Sequence, residues 1–113
     1  MIFNVWKILP AEPGVSKQEI IWRGEALFKA QEFAIVLGCY DCIFRCNGKR
    51  AWEILPGLEI ASRLIQSKFV HHPDKRDKWN AIGLSTYRDR FIDFLMTLLD
   101  VVKHHPDAQV EIS

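Results

Sequence analysis

The stretch Phe33-Ala34-Ile35-Val36-Leu37-Gly38-Cys39-Tyr40-Asp41-Cys42-Ile43-Phe44-Arg45-Cys46 decides how this chain is read. Wound as one helix, it carries apolar side chains around nearly its whole circumference, and only Ala34, Gly38, Asp41 and Arg45 form a narrow small or polar strip. A helix that is apolar all round must be buried on more than one side. In a chain of 113 residues a single bundle cannot easily cover every side, so a second copy or a partner protein is one way to bury the rest. The other is a central place in a compact bundle, because apolar periodicity reports burial without saying against what. Gly38 would let a neighbouring helix approach closely.

Upstream, Pro10, Pro13 and Gly14 break the chain, and Ser16 with Glu19 has the spacing of a capping box, so the long helix is expected over 16–46. Asn47 and Gly48 supply the residues that tolerate a left-handed end. Residues 1–15 form an apolar arm, with Ile2, Val5, Trp6 and Leu9 spaced for one helical face in a segment too short to fix its state. Downstream, Leu58, Ala61, Ile65 and Phe69 make a stripe that predicts a helix over 57–71, stopped by Pro73. The charged run at 74–82 reads as a short helix or turn, and Tyr87, Phe91, Phe94, Leu95, Leu98 and Val102 align on a helix over 85–105. The tail 107–113 is expected to fray. No stretch alternates convincingly with period two, so the expected fold is all-α: one domain over 1–113, a bundle of three to four helices with an apolar N-terminal arm.

Composition narrows the function classes. With 49% hydrophobic and 26% charged residues the chain is globular rather than disordered. Fifteen Lys and Arg against fourteen Asp and Glu give a formal charge of +1, without the basic excess that a phosphate-backbone binder uses to release counterions. The first ten residues lack a basic region and a long apolar run, which predicts no signal peptide. No apolar run approaches the roughly 20 residues of a membrane-spanning helix. Three cysteines, an odd number, suit a reducing cytoplasm.

Two sets of residues resemble chemical sites. Cys39, Cys42 and Cys46 have the spacing of a dithiol or half a zinc site, but also that of one helical face, and their neighbours Val36, Leu37, Ile43 and Phe44 favour buried neutral thiols. No metal and no cofactor is expected. The pairs His71-His72 and His104-His105 each precede Pro-Asp and read as helix ends, since adjacent histidines on a helix point about 100° apart. Trp6-Lys7-Ile8-Leu9-Pro10 echoes Trp52-Glu53-Ile54-Leu55-Pro56, at an offset different from that of the histidine pairs, so no internal repeat is inferred. There is no GxSxG, no phosphate-binding glycine loop and no HExxH, and the carboxylates are scattered over expected helix surfaces, so no enzyme is expected.

The segment Lys68-Phe69-Val70-His71-His72-Pro73-Asp74-Lys75 is similar to the loop of J-domain co-chaperones, in which the His-Pro-Asp tripeptide between two antiparallel helices stimulates an Hsp70 ATPase. Here only Arg63 and Lys68 stand where that family has a markedly basic face, and His105-Pro106-Asp107 repeats the tripeptide. In size, near-neutral charge and expected helical layout, the whole chain from Met1 to Ser113 resembles small bacterial anti-activators of the QslA type. That resemblance implies a homodimer that covers the dimerisation surface of a LuxR-type quorum-sensing transcription factor. The excess apolar surface and the four Trp residues point independently to a protein partner. The expected binding residues are Phe3 and Trp6 on the arm and Phe33, Leu37, Tyr40 and Phe44 on the long helix. A toxin-immunity protein is the remaining alternative, though the strongly acidic face usual for one is missing.

Overall fold

The computed structural model describes residues 1–8 and 18–113. The chain is mixed α/β, which corrects the all-α expectation. In chain order the described elements are β1 (Ile2–Ile8), β2 (Gln18–Glu25), α1 (Ala30–Leu37), α2 (Tyr40–Phe44), α3 (Ala51–Gln66), α4 (Pro73–Ile82), α5 (Ser85–His104) and β3 (Gln109–Ile112). The strands form one antiparallel sheet in the order β2-β1-β3.

Each strand has a local cause. In β1, β-branched and aromatic residues suit a pleated, half-buried surface, and Phe3 and Val5 alternate into the core, where both are fully buried. In β2 a bulge hides the alternation: Val5 pairs with Trp22 and Trp6 with Ile20, so Ile21 has no partner on β1 and three large apolar residues run consecutively. In β3, Val110 is buried between half-buried Gln109 and exposed Glu111. The expected tail is therefore structural. The Gly48 N–H donates to the Val110 carbonyl (2.8 Å), the Val110 N–H to the Lys49 carbonyl (2.9 Å), and the Ile112 N–H to Asn47 Oδ1 (2.9 Å). Ile2 and Ser113 exchange backbone hydrogen bonds of 3.0 and 2.9 Å, which ties the start of β1 to the end of β3 at one edge of the ladder.

No long helix spans 16–46. Glu19 lies in β2, while Ser16 and Lys17, where that helix was to begin, fall outside the described residues, as do Pro10, Pro13 and Gly14. Further on, Gly38 at φ 74° ends α1 and donates its N–H to the Ala34 and Ile35 carbonyls. The all-round apolarity of 33–46 is thus divided between two short helices with separate buried sides. α1 buries Ala30, Phe33, Ala34 and Leu37 against α4 and α5, and α2 buries Ile43 against α3.

α3 begins at Ala51 and continues through Pro56. Its first donors are satisfied from elsewhere: the Ala51 N–H by the Ala108 carbonyl (2.8 Å), the Trp52 N–H by the Pro106 carbonyl (3.0 Å). The Arg50 N–H meets Glu53 Oε2 at 2.8 Å. α3 lies along α5, and Ile54, Leu58 and Ala61 meet the side of the core to which α5 contributes Leu95, Leu98 and Val102. Toward the other end Phe33 packs on Trp79 (ring centroids 5.0 Å) and stacks on Phe91 (5.7 Å), and Phe69 meets Trp79 at 5.6 Å. Phe69 reaches that cluster because both it and Lys68 adopt left-handed backbone, φ 57° and 53°, at about 1–2 kcal/mol per residue. No helix among the described residues is long and apolar enough to cross a membrane.

Candidate functional site

The six residues expected to bind a partner are divided by the fold. Phe3 is fully buried between Phe44 (5.9 Å, edge to face) and Phe94 (5.1 Å). Phe33 and Leu37 are buried in α1. These three side chains fill the core of a single copy. Trp6 is half-buried in the sheet, its indole Nε1 without a hydrogen-bond partner. Tyr40 and Phe44 are half-buried and stacked on each other at 5.4 Å. The structure thus joins Phe3, Phe44 and Tyr40 in one aromatic group, and places Phe33 with the α4 and α5 rings instead.

Exposed apolar surface stands elsewhere, most coherently on α3. One side of that helix buries Ala51, Ile54, Leu58, Ala61 and Leu64. The opposite side carries Trp52 (56% exposed), Pro56 and Ile60 (57% exposed) at i, i+4 and i+8, one row along the helix. The ion pair of exposed Arg63 with half-buried Glu59 (3.6 Å) borders the row. Proline has no N–H, so the Trp52 carbonyl lacks its i+4 helical donor. The stripe pattern in the sequence does not point to this face: Leu58, Ala61, Ile65 and Phe69 start the expected helix at 57, which leaves Trp52 and Pro56 ahead of it. The available signal was the four-residue spacing of Trp52, Pro56 and Ile60 opposite the Ile54, Leu58 and Ala61 stripe.

The cysteines are packed thiols. Cys39 and Cys46 are buried and Cys42 half-buried, and all three are unpaired. The Cys46 thiol donates to the Ile43 carbonyl (2.9 Å) and the Cys42 thiol to the Cys39 carbonyl (3.2 Å). Burial pushes the Cys46 thiol up to about 12. A hydrogen bond shared with Cys42, followed by burial, raises Cys39, and the same bond lowers Cys42. Among the described residues no three His, Cys, Asp or Glu side chains gather into a metal-holding group.

The histidines are exposed and lie at helix ends. His72 is the N-cap of α4 with Pro73 at its first turn, and His104 Nδ1 donates to the Asp100 carbonyl at 2.7 Å. α4 packs on α1 while α3 packs on α5, so the helices flanking His72-Pro73-Asp74 are not packed on each other as an antiparallel pair. Comparison of the chain with protein-family models, with curated proteins and with solved structures gave no match.

Proposed function

We propose that the protein is a non-enzymatic regulator that holds another protein stoichiometrically through the α3 face of Trp52, Pro56 and Ile60. The observation that carries this reading is that row itself, two large apolar side chains more than half exposed on one side of a helix whose other side is already buried. A large aromatic in line with further apolar groups, with an ion pair beside the far end of the row, has the composition of an interface hot spot and its polar rim. Three unpaired thiols support a cytoplasmic setting.

Size and near-neutral charge, the parts of the anti-activator resemblance that outlive the mixed fold, support the proposed partner, the dimerisation surface of a LuxR-type transcription factor held by a homodimer of this chain. The test is titration of the purified protein into such a regulator bound to its operator, read by gel shift. Release of the DNA at a fixed stoichiometry, abolished by Trp52→Glu and Ile60→Glu at unchanged circular dichroism, is the expected result. DNA left bound at every ratio sinks the transcription-factor partner, and variants as active as the parent sink the α3 face.

A further inference from the structure

The end of α3, α4 and the start of α5 enclose a groove of about 430 Å³. Its floor is apolar: Phe69 and Trp79, themselves almost wholly buried, lie at the bottom, and the half-buried Ile65 and Ile92 offer apolar surface beside them. Three cations stand around it, each from a different part of the chain: Lys68 from the loop after α3, Arg76 from α4 and Arg88 from α5. No carboxylate lines it. Among the described residues Lys68 and Arg88 have no ion-pair partner, and Arg76 has only the neighbouring Asp77, 3.9 Å away and exposed. The groove sits in a basic segment: residues 68–90 hold six Lys and Arg against three Asp, in a chain that is otherwise near balance.

The chemistry that satisfies every wall at once is an apolar side chain flanked by carboxylates. The floor gains from apolar burial, and the guanidinium groups offer planar paired donors that match a carboxylate. Inorganic phosphate would use the cations and leave the aromatic floor wet. A nucleic acid would need a longer basic track than this chain provides. A groove of this size takes one or two side chains.

We propose that the groove is a docking site for an acidic peptide segment of a partner protein, with an apolar anchor between its carboxylates. It lies about 20 Å along the α3 axis from Trp52 and stands independently of that face. The probe is a short synthetic peptide with Leu-Phe flanked on both sides by Glu and Asp, compared with its Gln and Asn analogue, with inorganic phosphate and with single-stranded DNA. Binding to the whole chain is measured by calorimetry and by backbone amide shifts. The expected result is binding of the acidic peptide alone, weakening with salt, shifting the Phe69, Trp79 and Arg88 signals, and at least tenfold weaker in Arg88→Glu and Lys68→Glu. Arg88→Gln and Lys68→Gln, milder changes, are expected to weaken it in the same order, and Trp52→Glu to leave it unchanged. Failure of the acidic peptide to bind, equal binding of the amide analogue, equal or tighter binding of DNA or phosphate, or indifference to the groove variants overturns the proposal.

Discussion

Gly57 of α3 lies directly against Cys42 of α2: a methyl group on Gly57 would stand 2.9 Å from the Cys42 sulfur and 3.1 Å from its Cβ. In an ordinary helix interior Gly→Ala stabilises by about 0.5–1 kcal/mol. Here the sign reverses. Gly57→Ala is expected to destabilise by roughly 1–3 kcal/mol through overpacking. In the double variant with Cys42→Ala part of that loss should return, a coupling that denaturant melts of the four proteins measure.

Leu37 and Phe33 face inward, so a charge at Leu37 strikes the fold before any interface. Leu37→Asp is expected to abolish cooperative melting, and Phe33→Ala, which removes the ring between Trp79 and Phe91, to cost about 3–5 kcal/mol. A folded Leu37→Asp protein that had merely lost a partner would contradict the placement of α1.

The thiols predict a pH dependence. Cys39 and Cys46 keep their protons in the folded chain beyond the ordinary thiol value of 9.0, Cys46 to about 12, while in the unfolded chain they ionise near that ordinary value. The folded state therefore binds more protons at alkaline pH, and stability is fully present below pH 9 and lost as pH rises toward 12. The lowered Cys42 works in the opposite sense, its share growing as pH rises. Melting temperature should fall above pH 9, with a shallower slope in Cys46→Ala. Iodoacetamide at neutral pH should modify Cys42 first, which mass mapping of the labelled peptides reads.

Lys68 is a lysine in a conformation that glycine adopts without strain. Lys68→Gly is expected to leave stability unchanged or raise it by up to about 1 kcal/mol, while weakening acidic-peptide binding at the groove. A marked loss of stability would mean that the lysine stem packs more than its exposure indicates.

How far the residues announce their own fold is clearest in the twin segments. Trp6-Lys7-Ile8 lies in a strand and Trp52-Glu53-Ile54 in a helix, although their apolar pattern is the same. What separates them is tertiary: the first pairs with β2 and β3, whereas the second has its N-terminal donors met by the Pro106 and Ala108 carbonyls and by Glu53. The one-sided stripes of α3 and α5 are local and could be read from spacing. The strands could not, because the bulge at Ile21 erases the period in β2 and β3 is only four residues long. Gly38 is visible in the sequence, but its φ of 74° is not, and that one turn splits the apolar stretch into two short helices that bury Phe33, Leu37 and Ile43 while leaving Ile35 exposed. The α3 face was legible in principle from three residues four apart, and the groove was not, since Lys68, Arg76 and Arg88 converge only through the packing of three elements.

The paired ends of the sheet carry a mechanical consequence. Because β1 and β3 run antiparallel and Ile2 bonds to Ser113 at the same extremity, traction on residues 2 and 113 loads the ladder one rung at a time, like a zip. An optical trap holding those two positions should open the sheet at low force, while handles that pull β1 lengthwise along β3 must break all its rungs together. The same adjacency makes a short linker from 113 back to 2 compatible with the sheet, so new termini opened in an exposed turn should leave it intact.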